Sequence, residues 1–299
     1  MCSAKEQIKY LRAIVLASLI LISFNAAAIA QGNVQGSVNG SFNEAKEDLL
    51  NKVAAGENYT DAVKKYYEKV IETDSTNYDA LTNLGVIYQQ LENEEKSLQY
   101  FIQAVKFHPE RARAFHNLGI LYGLIGKLDD AVINLNKAAE LDSNSPNSVR
   151  QLGIFYLQNE KYNEAIESFN RALTRDNKDI ESYLGKSLAY WLLKDYDNVL
   201  AVINKIQSLG LQFYRMELLL ADIYFKKKEY EKAMKYAKLD EEENSTKAEG
   251  HYLLGVLYKI NGENEKAENE FEEVNKITQQ NPTAQLELNI NIFFSAEVK

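Results

Sequence analysis

Three histidines are the side chains of this sequence best suited to proton transfer or metal ligation, and they stand far apart: His108, His116 and His251. Two histidines that grip zinc from one helix face sit three or four residues apart, and other zinc sites draw on thiolates. No His-x-x-x-His spacing occurs, and the single cysteine is Cys2. A thiolate metal cluster and a disulfide framework are therefore excluded. His108 precedes Pro109 at an apparent helix end, where a partial positive charge is favourable. His251 takes an aromatic place in an apolar stripe and reads as a packed residue, not a ligand.

Other reactions need other patterns. A phosphate cradle needs a glycine-rich loop opening a helix, and a serine nucleophile needs a Gly-x-Ser-x-Gly turn; neither is present. Carboxylates are plentiful, 43 Asp and Glu against 34 Lys and Arg, but the acidic run 240–243 and the basic run 226–228 read as solvated helix ends and loops. An acid–base pair of carboxylates facing across a groove is the one catalytic arrangement left open. The regular spacing of the chain leaves no inserted loop to hold one, so the expectation is a non-enzyme with no cofactor and no metal. A formal charge of −9 repels phosphate backbones, which argues against nucleic acid as a partner.

Whatever binding residues exist are positioned by a repeat. NLGVIY (83–88), NLGILY (117–122) and QLGIFY (151–156) recur every 34 residues, and the register continues through Tyr88, Tyr122, Tyr156, Tyr190, Tyr224 and Tyr258. Three residues before each tyrosine comes a small residue: Gly85, Gly119, Gly153, Ser187, Ala221 and Gly255. Thirteen residues after it come Phe101, Leu135, Phe169, Ile203, Ala237 and Phe271. Leu81, Leu84, Gly85 and Tyr88 form one stripe of a helix; Ser97, Phe101 and Ala104 form a stripe of a second. Helices of about 12 residues are marginal alone in water and must pack in pairs. Small residues let the two axes approach, and the rings fill the space beside them. Gly126 and Gly262 fall between the two helices of their repeats, and Pro109, Pro146 and Pro282 fall between repeats.

Residues 1–30 differ in kind. Lys5, Lys9 and Arg12 precede the apolar run AIVLASLILISF (13–24), and small residues follow up to Ala30. These are the three parts of a secretory signal peptide, with cleavage expected after Ala30. The run is shorter than the roughly 20 apolar residues of a membrane span, so an uncleaved anchor over 13–24 is the alternative. The expected location is periplasmic or otherwise extracytoplasmic, with membrane contact only through this segment if it stays. Residues 31–43, with Gly32, Gly36 and Gly40, read as a flexible linker.

The repeat resembles the tetratricopeptide repeat, a 34-residue helix–turn–helix. LTNLGVIYQQLENEEKSLQYFIQAVKFHP (81–109) and FHNLGILYGLIGKLDDAVINLNKAAELD (115–142) carry the resemblance, which extends over residues 44–281. It implies an all-α, right-handed α-solenoid of about seven repeats, closed by a capping segment at 282–299 that could pattern as helix or strand and is read as helix. The first repeat, about 44–77, keeps Ala62, Tyr66, Tyr67 and Val70 but slips by one residue, as an N-terminal cap would. In the sixth repeat Asp240 takes an alanine place, so its second helix is expected to end before 240, with the weakest packing of the array there.

A second stripe of each first helix lies about 100° from the core stripe. In the family it resembles, that stripe lines a concave face that takes extended or helical peptides. The candidate groove residues are Arg113, His116, Asn117 and Arg150 toward the N-terminus, then Leu184, Leu188, Trp191, Leu218, Asp222, Phe225 and Tyr252. Such a groove would suit a partner segment with an acidic part and an apolar part. Trp191 reads equally as a binding anchor or as packing between first helices, and Arg113 and Arg150 read as solvated. Some family members clamp a terminal carboxylate with Lys and Asn, but Val86, Ile120 and Ile154 stand where Asn would, so that function is not carried over. The resulting reading is an exported scaffold that binds a protein or peptide segment; the alternative is a structural subunit of an envelope or secretion assembly.

Overall fold

A computed structural model describes residues 59–280, and the described residues fold into thirteen α-helices with no strand. Two compact units share them, divided between residues 189 and 190, inside the eighth helix. The N-terminal unit contains α1 (Tyr59–Thr73), α2 (Tyr78–Gln90), α3 (Glu94–Phe107), α4 (Ala112–Leu124), α5 (Leu128–Leu141), α6 (Asn147–Gln158), α7 (Tyr162–Arg175) and most of α8 (Ile180–Leu192). The C-terminal unit takes the end of α8 and contains α9 (Tyr196–Ser208), α10 (Met216–Lys226), α11 (Tyr230–Asn244), α12 (Ala248–Ile260) and α13 (Asn264–Gln280). The signal segment, the linker, the start of the first repeat and the tail 282–299 lie outside the described residues.

One turn joins the two helices of every described repeat. The tyrosine carbonyl accepts the N–H five residues on: Asn93 to Tyr88 at 2.8 Å, Lys127 to Tyr122 at 2.8 Å, and likewise at Tyr156, Tyr190, Tyr224 and Tyr258. Between them a residue adopts left-handed φ, at Glu92, Gly126, Glu160, Lys194, Lys228 and Gly262. Two carbonyls at the helix end are thereby satisfied, since each left-handed residue also donates to the residue after the tyrosine. The residue that closes this turn then starts the next helix. Asn93 and Asp195 do so with side-chain caps, accepting from Lys96 N at 3.1 Å and Asn198 N at 3.2 Å.

The size pairing read from the sequence is the packing rule inside each hairpin. A methyl at Gly153 would sit 2.6 Å from the Phe169 ring, one at Gly119 2.7 Å from Leu135, and one at Gly255 2.6 Å from Phe271. Gly85 stands in the same relation to Phe101, and Ser97 Oγ donates to the Gly85 carbonyl at 2.8 Å. Phe169 is also pressed against Gly185, so one ring fills the space between α6 and α8. In the sixth repeat both partners change together: Ala221 replaces the glycine and Ala237 the ring, and both are fully buried in one cluster. All six register tyrosines are buried or half-buried. Tyr88 donates to Glu68 at 2.8 Å and stacks on Tyr100; Tyr224 stacks on Tyr236 in the same geometry.

One expectation about the helices fails. The second helix of the sixth repeat, α11, does not end before residue 240 but runs to Asn244. Asp240, in place of alanine, is 0% exposed. Its charge is answered by Arg215, whose Nη2 lies 2.6 Å from Oδ2 and whose Nε donates to Oδ1 at 3.1 Å, while Asn244 adds a bond at 3.2 Å. A buried carboxylate that gains a guanidinium in this way need not reach water, so the helix continues.

Candidate functional site

The second stripe of the first helices can be followed within each unit. In the N-terminal unit it begins open: Asp79 on α2 and Arg113 on α4 are exposed, while Val86, Gln89 and Ile120 are half-buried. Arg113 forms no ion pair among the described residues. Two amide nitrogens at this stripe, Gln89 Nε2 and Asn117 Nδ2, are buried without a hydrogen-bond partner among the described residues. The stripe then closes. The ring of Phe155 on α6 occupies the space where a side chain at Gly123 would be, and Ile154 and Leu157 are buried. Leu184 and Leu188 on α8 are half-buried.

His116 and Arg150 come together across α4 and α6, but neither is a free charge. His116 Nδ1 lies 3.0 Å from Ser148 Oγ. Burial first, and then the charges of Arg150 and Arg113, push its pKa down to about 4, so at neutral pH the ring is uncharged. Arg150, expected on a solvated face, is instead held by Asp179 at 2.6 Å and Glu181 at 2.7 Å and bonds to Asn147 at 2.9 Å. Asp179 is fixed in turn by Ser182 Oγ, which donates to it at 2.5 Å.

In the C-terminal unit the stripe is mostly interior. Trp191 is half-buried and its Nε1 donates to Asp222 Oδ2 at 3.2 Å. Asp222 and Phe225 are buried, and Leu218 is half-buried in the same core. Burial raises the Asp222 carboxyl to about 7, against the smaller opposing pulls of Lys226 and the Trp191 bond. Tyr252 is half-buried and packs beside Phe271, with ring centroids 5.8 Å apart. Arg215 bonds to Glu249 at 2.8 Å as well as to Asp240. Burial disfavours its charge, but the bonds to Asp240 and Glu249 outweigh that and leave its pKa raised. Arg215 and Glu249 were not singled out in the sequence, although they stand at equivalent positions of successive repeats. Opposite charges at equivalent positions 34 residues apart were the available signal.

Of the other histidines, His108 caps α3, where its Nε2 lies 2.6 Å from the Thr76 carbonyl. His251 is buried as expected, with both ring nitrogens engaged: Nδ1 is 2.7 Å from Glu270 and Nε2 is 2.9 Å from the Ser245 carbonyl. Among the described residues no cluster of three His, Cys, Asp or Glu is arranged to hold a metal ion.

The fold and its stripes define a class: an all-α protein of repeated helical hairpins whose recurrent residues are packing residues. Tetratricopeptide-repeat family models match residues 76–144, and again 151–179, 215–239 and 248–281. The chain belongs to the tetratricopeptide repeat family. Solved structures of similar fold include a tetratricopeptide repeat protein from Parabacteroides merdae, at 20% identity and TM-score 0.53 over 85% of this chain and 100% of that one. The PilF protein of Pseudomonas aeruginosa matches at 20% identity and TM-score 0.53, over 74% of this chain and 97% of that one. A fragment of MamA from Desulfovibrio magneticus matches at 14% identity and TM-score 0.50, over 58% and 97%. No curated protein matches the chain. Repeats of this family generally mediate contacts between proteins and act as scaffolds rather than enzymes.

Proposed function

We propose that the protein is an exported scaffold that takes a protein or peptide segment along the stripe of its first helices, entering by the open α2–α4 stretch. One observation carries the reading. Among the described residues Arg113 is exposed with no ion pair, and Gln89 Nε2 and Asn117 Nδ2 are buried donors with no acceptor. Buried donors left unmade cost about 1–3 kcal/mol each, a cost that a ligand acceptor removes once the α2–α4 stretch opens to it. All three groups donate, so the segment must bring acceptors: main-chain carbonyls or carboxylates. Half-buried Leu184 and Leu188 would receive apolar side chains. Arg150 and Asp222 leave the list of direct contacts, because each is already engaged inside the fold.

Export rests on the pattern of residues 1–30, and the same preparation tests it. The tagged protein is recovered from the envelope fraction of its own cell with its partner. Arg113→Glu is expected to weaken capture at least tenfold, about 1.4 kcal/mol, while Ile133→Ser on α5 leaves it intact. The intact mass is expected to begin at Gln31. Capture unaffected by Arg113→Glu would sink the groove reading, and a chain that retains residues 1–30 would sink cleavage.

The structural-subunit alternative has one observation in its favour. Ile102 and Phe107 on α3 and Ile133 and Leu141 on α5 are exposed, Phe107 and Leu141 at equivalent places one repeat apart. Loss of capture in Ile133→Ser with Arg113→Glu unaffected would select that alternative.

A further inference from the structure

His251 is placed where a neutral imidazole leaves one bond unmade. Its Nε2 faces the Ser245 carbonyl in the α11–α12 connection, and its Nδ1 faces a carboxylate oxygen of Glu270 on α13. A carbonyl only accepts, so Nε2 must keep its hydrogen. Nδ1 then donates to Glu270 only if the ring carries its second proton. Without that proton a ring lone pair points at carboxylate oxygen 2.7 Å away, in a site where the His251 side chain is 8% exposed and water replaces the bond poorly. We propose that His251 is a pH-operated latch: doubly protonated, it fastens α13 to α12 and to the α11–α12 connection, and on losing a proton it lets α13 open.

The surrounding charges suit this. Glu270 and Glu273 face His251 from α13, and Glu241 acts on it from α11. Two further acids nearby, Asp240 and Glu249, are taken up by Arg215. Burial opposes the ring's charge, but the bonds to Glu270 and to the Ser245 carbonyl, with the fields of Glu270 and Glu241, leave its pKa raised above 6.5. The folded value thus exceeds the unfolded one. The latch contributes fully below pH 6.5 and is lost as pH rises through the folded value. Of the 17 residues of α13 only Ala267 and Val274 are buried, while Phe271 and Ile277 are half-buried against α12. Opening at one helix is therefore cheaper than global unfolding.

Hydrogen exchange on the full chain tests the latch, with rates corrected for intrinsic pH dependence between about pH 5 and pH 9 and α4–α5 as internal reference. In the natural protein, protection of 264–280 is expected to fall as pH rises. The fall is about tenfold for each unit by which the folded pKa exceeds 6.5. Glu270→Gln keeps an acceptor and removes the charge, and is expected to flatten most of that dependence. His251→Gln is expected to leave protection low throughout. Should His251→Gln fail to fold, the imidazole resonances of the natural protein decide, with a His251 pKa above 6.5 supporting the latch. A His251 pKa at or below 6.5, or an equal pH response in Glu270→Gln, overturns it.

Discussion

Asp222 shows how one residue couples the stripe to stability. It is a carboxylate buried beside the only tryptophan of the chain, and burial raises its pKa from 3.8 to about 7. The folded protein therefore holds this proton more tightly than the unfolded chain does. Its contribution to stability is complete below pH 3.8 and is lost as pH rises through about 7. Asp222→Asn keeps an oxygen for Trp191 and cannot ionise. At pH 8 it is expected to stabilise the protein by roughly 4 kcal/mol, and at pH 4 to change little. Urea unfolding followed by Trp191 fluorescence at both pH values measures this; equal stability of the two proteins at pH 8 would contradict it. Little of this was legible in the sequence. The 34-residue register reveals which residues share a stripe, but not whether a stripe residue is covered by the next helix. Arg150 and Asp240 were misread because their partners Asp179 and Arg215 lie 29 and 25 residues away, Asp179 in the α7–α8 connection and Arg215 at the cap of α10, outside the helices whose stripes the register aligns. The glycine-and-ring pairs were legible because each lies within one hairpin, at a fixed spacing of 16 residues, as from Gly85 to Phe101.

At the scale of the element, the turn between paired helices is the most regular feature, and glycine is not what defines it. Six residues in equivalent places take left-handed φ, between 56° and 80°, but only Gly126 and Gly262 are glycines. The tyrosine carbonyl that closes the turn is the same in all six repeats, so the bonds fix the backbone and the side chain tolerates it. Holding a residue with a Cβ in this conformation costs roughly 1 kcal/mol. Lys194→Gly is accordingly expected to stabilise the protein by up to about 1 kcal/mol. Gly126→Ala is expected to destabilise it by a similar amount, through backbone strain alone, since nothing lies within 4 Å of the added methyl. Denaturant midpoints of the two variants check the pair, and a loss of stability in Lys194→Gly would mean the lysine side chain contributes more than the strain costs.

At the scale of the whole molecule, the same packing rule predicts how damage spreads. In the N-terminal unit Phe169 is buried between Gly153 of its own hairpin and Gly185 of the next helix. Residues in α2 and α3 gain nothing from that ring. Stability in such an array is close to a sum of hairpin terms and nearest-neighbour terms, whereas a single shared core would distribute any loss over every element. Phe169→Ala removes a fully buried ring, at a cost of about 3–5 kcal/mol. Hydrogen exchange is expected to show the loss in α6, α7 and the part of α8 up to 189, with α2 and α3 within about threefold of the natural protein. The contrast between neighbours and distant hairpins is the informative quantity, because a uniform loss across 78–189 would reveal one cooperative core. The latch at His251 depends on the local outcome too. A single helix can open on its own only where the fold is assembled from separable contacts, and a ring buried within one pair of hairpins is the arrangement that permits it.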